Sequence, residues 1–213
     1  MDEDLKIRYL RDPCGTLATA FWKEKAFAKP KGMAVIHEKC MGHNHSVKGT
    51  RYFRMIHRME ECCVAFLPNG YIFRNVNMPD EAGLVADFIN RCYEGYSQTK
   101  DSVSRWMGYP VFVAELWVFI WDEEKNIPAA LGIADFDEEI GEGSLEWIQV
   151  LPEYRSKGLG KAVALELIAR LHGLAAFVTV SGEVDSASNP EALYRKCGFT
   201  GDDVWFAYLE MRK

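Results

Sequence analysis

The stretch that decides the fold is Val150-Leu-Pro-Glu-Tyr-Arg-Ser-Lys-Gly-Leu-Gly160. Residues 144–150 are suited to a strand, and residues 161–172 are suited to a helix. A strand–loop–helix junction of this kind turns backbone N–H groups toward one point, at the positive end of a helix dipole. The two glycines allow a ligand to approach closely, and the arginine and lysine add mobile positive charge. The stretch therefore predicts a cradle for a phosphate or pyrophosphate group.

The known phosphate loops narrow this prediction. A Walker A loop requires Ser or Thr after its lysine, but Ala162 follows Lys161, and the Rossmann fingerprint requires three glycines where this loop has two. The pattern that fits is Arg-x-x-Gly-x-Gly after a strand that ends Val-x-Pro-x-x-Arg. It closely resembles the acetyl-CoA loop of the GNAT superfamily (general N-acetyltransferases). The alternative is an ordinary surface turn between a strand and a helix.

The resemblance implies a set of residues that bind acetyl-CoA. Loop amides would hold the pyrophosphate, and the preceding strand would pair with the pantetheine arm. Backbone N–H groups near the strand end would polarise the thioester carbonyl, as in an oxyanion hole. For the basic side chains, the alternative is solvated charge at a helix start. The implied cofactor-binding residues are Val150, Leu151, Arg155, Ser156, Lys157, Gly158, Leu159, Gly160 and Lys161.

A second motif is Asn189-Pro-Glu-Ala-Leu-Tyr-Arg-Lys-Cys-Gly-Phe199, which resembles the late helix of the same superfamily. Asn189 suits an N-cap, proline follows at the first helical position, and Gly198 suits the end of the helix. The resemblance implies that Tyr194 donates a proton to the departing thiolate and that Asn189 also contacts the cofactor. The alternative for Tyr194 is a tyrosine packed where a helix meets a sheet.

The candidate general base is Glu146, on the strand that leads to the loop. It precedes Val150 by four residues, so regular alternation puts both side chains on one face of the strand. The superfamily often uses a carboxylate on this strand, either directly or through water, and both routes stay open. The alternative is a solvated strand carboxylate, with Glu183 and Asp185 as the reserve carboxylates.

Composition and charge limit the classes of protein to which this sequence can belong. The 213 residues are 48% hydrophobic and 26% charged, which is typical of soluble globular proteins. Residues 1–60 hold 12 Lys/Arg and 7 Asp/Glu, whereas the remainder holds 13 and 24, so an acidic body argues against nucleic-acid binding. No apolar run reaches the roughly 20 residues that cross a bilayer. The six scattered cysteines fit reduced thiols in a cytoplasmic protein.

The order of predicted elements indicates an α+β fold, with a mixed, mostly antiparallel sheet flanked by helices. We expect an N-terminal extension over residues 1–69 that docks on a GNAT-like domain over residues 70–213. The predicted elements include a strand over 70–76, a helix over 81–93 capped by Asp80, a hairpin of 111–121 with 129–136, and a small N-terminal hairpin of 52–57 with 62–67.

Two other groups of residues contain side chains that could form a site. Cys197 lies at a helix C-terminus, where the dipole disfavours a thiolate, so a packed thiol is expected rather than a nucleophile. His37, Cys40, His43 and His45 contain the ligand types of zinc, but their spacing matches no zinc signature. A His-rich polar loop is the preferred interpretation, and no metal site is predicted.

These patterns together predict an acetyl-CoA-dependent N-acetyltransferase that acts by direct transfer in a ternary complex. The acceptor is expected to be a small-molecule amine or a protein N-terminus, with no nucleic-acid or membrane partner. The oligomeric state is left open, with a homodimer as one option. The alternatives are a catalytically silent acyl-CoA-binding or regulatory domain on the same fold, or a metal-binding interaction protein.

Overall fold

The computed structural model describes residues 3–28, 30, 32–41, 48–60, 64–93, 95 and 97–209 of the chain. Contacts divide the chain into two compact units. The first unit comprises Met1–Arg58 together with Phe177–Lys213, and the second comprises Met59–Ala176. The phosphate-loop motif lies in the second unit, and the Tyr194 motif lies in the first.

Helices and strands follow one another in a mixed order. The helices are α1 (Glu3–Arg11), α2 (Pro13–Thr16), α3 (Phe21–Ala26), α4 (Ala82–Cys92), α5 (Lys100–Trp106), α6 (Leu159–Leu171) and α7 (Pro190–Arg195). The strands are β1 (Met33–His37), β2 (Gly49–His57), β3 (Tyr71–Asn75), β4 (Trp117–Asp122), β5 (Ile127–Asp137), β6 (Glu142–Val150), β7 (Phe177–Glu183) and β8 (Thr200–Leu209). The predicted α+β class, with mostly antiparallel strands flanked by helices, is confirmed.

The first unit holds four antiparallel strands in the order β1-β8-β2-β7. A buried arginine ties its N-terminal helix to these strands: Arg54 on β2 donates to the Tyr9 hydroxyl of α1 at 2.6 Å and to Thr179 Oγ1 of β7 at 3.3 Å. The N-terminal segment therefore supplies two strands, β1 and β2, to this unit. The predicted hairpin of 52–57 with 62–67 is wrong, because β2 pairs with β7 and β8 and residues 64–67 form no strand; residues 62 and 63 lie outside the described part of the chain.

The second unit holds four antiparallel strands in the order β6-β5-β4-β3, with helices on both faces. Gly132 of β5 faces α6, because a Cβ built on it would meet Val163 and Leu167 of that helix. The adjacent position of β5 pairs with Trp147 of β6, which faces the other way and stacks on Trp106 of α5 (ring centroids 5.7 Å apart, rings 11° from parallel).

Most predicted elements of the second unit are present, with shifted ends. The strand predicted over 111–121 begins only at Trp117, because residues 114–116 form a turn of 3₁₀ helix. The predicted cap Asp80 is also wrong: α4 begins after Glu81, whose carboxylate accepts from the backbone N–H of Asn77 instead of capping the helix. The boundary expected between residues 69 and 70 stays a prediction.

Replacing Gly132 with alanine is expected to lower the free energy of unfolding by about 1–3 kcal/mol. The new Cβ would lie 2.5 Å from Val163 Cγ2, so α6 or its side chains must shift. Urea denaturation measures the effect. Gly83→Ala, in α4, is the matched control: nothing lies within 4 Å of its Cβ, so alanine should raise helix stability. Equal effects of the two substitutions would contradict the tight packing of α6 on β5.

Candidate cofactor-binding site

The end of β6 presents peptide groups on the side away from β5. The Leu151 N–H donates to the Ala129 carbonyl at 3.1 Å, so Leu151 and Ala129 form a hydrogen-bonded pair. In an antiparallel ladder such pairs alternate with pairs that do not bond each other. The next residue back on β6 is Val150, which is opposite Ala130, so its N–H and C=O point away from β5.

This geometry means that only one of the two predicted oxyanion donors, the amides of Val150 and Leu151, is free to act. The amide of Leu151 already has a partner on β5, so it is not available to a thioester carbonyl in this arrangement. The amide of Val150 points to the other edge of β6 and keeps the predicted role open. The Val150 carbonyl accepts from Arg155 Nε at 3.4 Å, a long contact from the start of the loop.

The loop after β6 turns sharply and leaves a series of amides without partners. A 3₁₀ turn over Pro152–Tyr154 is followed by two residues in the left-handed region, Ser156 (φ 63°) and Gly158 (φ 81°). Helix α6 then begins at Leu159 with no side-chain cap. Throughout the described part of the chain, no protein group accepts from the backbone N–H groups of residues 156–161. The loop therefore offers six amides at the positive end of a 13-residue helix.

Side chains around these amides leave room for a ligand. A Cβ built on Gly158 would meet nothing within 4 Å, so the space beside that residue is open. Lys161 is exposed on the first turn of α6, whereas Leu159 and Gly160 are buried and anchor that turn. The other lysine of the loop, Lys157, contacts β3 instead: its ammonium donates to the Tyr71 hydroxyl at 3.2 Å.

Glu146 lies at an irregularity in the sheet. The register of β5 and β6 shifts there, because Ile133 pairs with Trp147 whereas Ala134 pairs with Leu145, so Glu146 is the extra residue of a β-bulge. Regular alternation does not run across a bulge, so the inference that Glu146 and Val150 share a face loses its basis. The Glu146 carboxylate accepts a hydrogen bond from the Ser144 hydroxyl at 2.9 Å.

Tyr194 and Asn189 belong to the first unit, and their local structure follows the motif. The Asn189 side chain accepts from the Ala192 N–H at 3.3 Å, so the predicted N-cap is confirmed, with Pro190 at the start of α7. The Tyr194 ring is buried at 7% exposure and packs edge-on against Phe199. Gly198, with a φ of 92°, ends the turn after the helix. The reserve carboxylates of this unit, on residues 183 and 185, are exposed.

The described thiols and imidazoles do not add a catalytic group. Cys197 is buried, as expected for a packed thiol. Burial raises the pKa of the Cys92 thiol to about 11 although Arg155 and Arg91 lie nearby, so this thiol is protonated at neutral pH. His37 accepts from the Lys39 N–H through Nδ1 and therefore donates through Nε2 to Asp203 at 3.0 Å. Among the described residues no group of three His, Cys, Asp or Glu could hold a metal; His43 and His45 lie outside them.

Sequence reasoning missed a buried amide beside the strand end. Gln149 of β6 is 3% exposed and faces the same side as Trp147, opposite Leu131 of β5. Within the described residues, neither atom of its carboxamide has a hydrogen-bond partner. An unpaired buried amide is costly, since both polar atoms lose water and gain nothing in return.

Replacing Gln149 with methionine is therefore expected to raise the free energy of unfolding by about 1–2 kcal/mol. Methionine has a similar length and needs no partner. Gln149→Glu is the opposing variant, because it buries a carboxyl group at the same place and should destabilise the protein. Thermal and urea unfolding report both changes. A methionine variant less stable than the wild type would mean that the amide has a partner, such as a buried water.

Comparison with known proteins gives the class of the fold. Residues 111–201 match the family model described as an acetyltransferase (GNAT) domain, and this match contains the strand end, the loop and α7. A search of curated proteins found no match to the sequence. Within the part of the chain that the structure describes, no helix has the length and apolar character needed to span a membrane.

Solved structures share the fold at low sequence identity. A GCN5-related N-acetyltransferase from Sphaerobacter thermophilus is 15% identical with a TM-score of 0.66, and the match covers 78% of this chain but 55% of that protein. An acetyltransferase of the GNAT family from Colwellia psychrerythraea is 13% identical with a TM-score of 0.62, covering 83% and 65%. The ribosomal-protein-S18-alanine N-acetyltransferase from Escherichia coli is 18% identical with a TM-score of 0.51, covering 67% and 96%.

The family match and the shared fold confirm the predicted resemblance to the GNAT superfamily. The family model that matches residues 111–201 is one of acetyltransferase domains, whereas the solved structures show the shared fold alone. The chain spans about half the length of the Sphaerobacter thermophilus protein.

Proposed function

We propose that the protein is an acetyl-CoA-dependent N-acetyltransferase that transfers the acetyl group directly to an amine in a ternary complex. The observation that carries the proposal is the run of six unpartnered amides over residues 156–161, at the start of α6. Amides that converge at a helix N-terminus bind phosphate groups, and coenzyme A carries a pyrophosphate. Arg155 and Lys161 add positive charge beside these amides.

The proposed chemistry assigns one role to each group. The amine nitrogen attacks the thioester carbonyl, whose developing negative charge is stabilised by the Val150 N–H. The C–S bond then breaks, and Tyr194 gives its hydroxyl proton to the departing thiolate. The proton lost by the amine goes to Glu146, directly or through water. Asn189 is retained as a further contact to the cofactor.

The acceptor is proposed only as a class: a small-molecule amine or a protein N-terminus. A structure that shares the fold is named for acetylation of an alanine of a ribosomal protein, which is an instance of the second kind. The acidic balance of residues 61–213 is compatible with a cationic acceptor. We also propose a cytoplasmic location, since the chemistry requires acetyl-CoA.

Titration calorimetry with acetyl-CoA tests the proposal, followed by thiol release measured across a panel of amines and N-terminal peptides. We expect saturable binding and acceptor-dependent release of free coenzyme A. If acetyl-CoA does not bind, the proposal fails. If it binds and no amine in the panel releases thiol, the protein is a silent acyl-CoA-binding domain instead.

A further inference from the structure

Beside the loop, two lysine ammonium groups meet at a pair of tyrosines. Lys157 belongs to the loop, and its Nζ lies 3.2 Å from the Tyr71 hydroxyl and 4.9 Å from the centroid of the Tyr154 ring. Lys125 belongs to the turn between β4 and β5, and its Nζ lies 5.0 Å from the same centroid. The Tyr71 and Tyr154 rings contact each other edge to face. Two cations from separate parts of the second unit thus share one small patch, which we call the lysine–tyrosine patch.

A buried carboxylate fixes the base of this patch. The Tyr154 hydroxyl donates to Asp122 Oδ2 at 2.8 Å, and the Lys125 backbone N–H donates to Asp122 Oδ1 at 3.0 Å. These two hydrogen bonds, the backbone bond first, lower the pKa of Asp122, so it stays a carboxylate. The Tyr154 hydroxyl beside the Lys125 side chain also raises the pKa of that lysine. Tyr154 is thereby held in one orientation under both ammonium groups.

Positive charge in the patch exceeds the negative charge that faces it. Across the described residues, neither Lys125 nor Lys157 forms an ion pair with a carboxylate within 4 Å, and Glu123 and Glu124 of the same turn form none with them. An ammonium group has three donors, and Lys157 uses one of them on the Tyr71 hydroxyl, so it keeps two. The Lys125 ammonium lies over the Tyr154 ring. The Tyr71 hydroxyl, which accepts from Lys157, keeps its own hydrogen for donation.

We propose that Lys125, Lys157 and the Tyr71 hydroxyl form a subsite for a phosphate monoester, namely the 3′-phosphate of coenzyme A. The inference rests on the proposed function and deepens it. Coenzyme A carries its pyrophosphate and its 3′-phosphate on the same ribose unit, so the second phosphate must lie close to the loop amides that take the first. Lys157 belongs to that loop, and its ammonium is directed into the patch. Lysine binds phosphate as a mobile point charge, which suits a group on a flexible ligand.

Dephospho-coenzyme A provides the test, because it lacks only the 3′-phosphate. Calorimetry gives the Kd of coenzyme A and of dephospho-coenzyme A for the wild type and for Lys125→Met, Lys157→Met and Tyr71→Phe. We expect the wild type to prefer coenzyme A by roughly tenfold or more, from charge-assisted hydrogen bonds to one phosphate. Each lysine variant should lose most of this preference, mainly by weakening coenzyme A, while its Kd for dephospho-coenzyme A changes little.

Two controls separate this subsite from the loop. Lys161→Met removes a cation at the start of α6 and should weaken both ligands by the same factor, so the preference survives. Lys100→Met removes an exposed lysine at the start of α5 and should change neither Kd. A wild type that binds both ligands equally, or lysine variants that keep the full preference, would overturn the subsite and leave the proposed function standing. A wild type that binds neither ligand would overturn both.

Discussion

Replacing Gly158 with valine is expected to weaken acetyl-CoA binding by about 100-fold, through the loss of about two charge-assisted hydrogen bonds to phosphate. The residue has a φ of 81° and stands at the start of α6, among the amides that we assign to the pyrophosphate. The space beside it is open, so a valine side chain would occupy the ligand's position without meeting protein atoms. Titration calorimetry measures the change in Kd.

The chain offers a matched control for this variant at the other end of the same helix. Gly173, just after α6, has a φ of 84° and nothing within 4 Å of a built Cβ. Valine at either position carries the same left-handed backbone strain, which costs about 1–3 kcal/mol. Gly173→Val should therefore lower the stability of the protein as much as Gly158→Val does but leave its affinity for acetyl-CoA unchanged. If both variants weakened binding alike, strain rather than a ligand at the loop would explain the result.

Replacing Tyr194 with phenylalanine is expected to lower kcat by about 10²-fold or more, with little change in the Kd of acetyl-CoA. The variant removes the hydroxyl proton proposed for the departing thiolate. It keeps the aromatic ring, which packs against Phe199 and Phe53, so the fold around α7 should be preserved. Steady-state thiol release with the best acceptor from the amine panel gives kcat, and calorimetry gives the Kd.

An acetyl donor whose thiol leaves without a proton distinguishes a chemical role of Tyr194 from a packing role. With acetyl donors that have a more acidic thiol, Tyr194→Phe should reduce the turnover rate less than it does with acetyl-CoA, because these thiolates leave without protonation. Tyr208→Phe, a tyrosine of β8 that stacks on Phe206, is the control and should keep full turnover. Undiminished kcat in Tyr194→Phe would make Tyr194 a packed tyrosine only.

Local patterns in the sequence were enough to predict the loop after β6 and the helix α7. Glycine at 158 permits the left-handed conformation that the loop adopts there, and Asn189 followed by proline marks a helix start, so each feature depends on neighbours within a few residues. The strands around the loop are also predicted by the sequence, because their apolar runs are continuous. In these parts of the fold, the residues that determine the structure are close to one another both in the sequence and in space.

Long-range pairing could not be predicted in the same way. The bulge at Glu146 depends on how β5 and β6 align, and a strand pattern read alone assumes regular alternation. The lysine–tyrosine patch joins residues 71, 125, 154 and 157, which no motif links. The pairing of β2 with β7 and β8 joins segments more than 100 residues apart, whereas the sequence pattern favours the nearer apolar run over residues 62–67 as the partner of β2.

The stacked indoles of Trp106 and Trp147 have a consequence for spectroscopy. Two nearly parallel rings with centroids 5.7 Å apart are close enough for their strong electronic transitions to couple, so we expect them to contribute an exciton band to the far-ultraviolet circular dichroism spectrum. Trp147 precedes Val150 by three residues on the same strand, so a change in that strand end alters the angle between the rings. We expect the band to shift on titration with acetyl-CoA and to vanish in Trp106→Phe, so the protein carries its own label-free optical reporter.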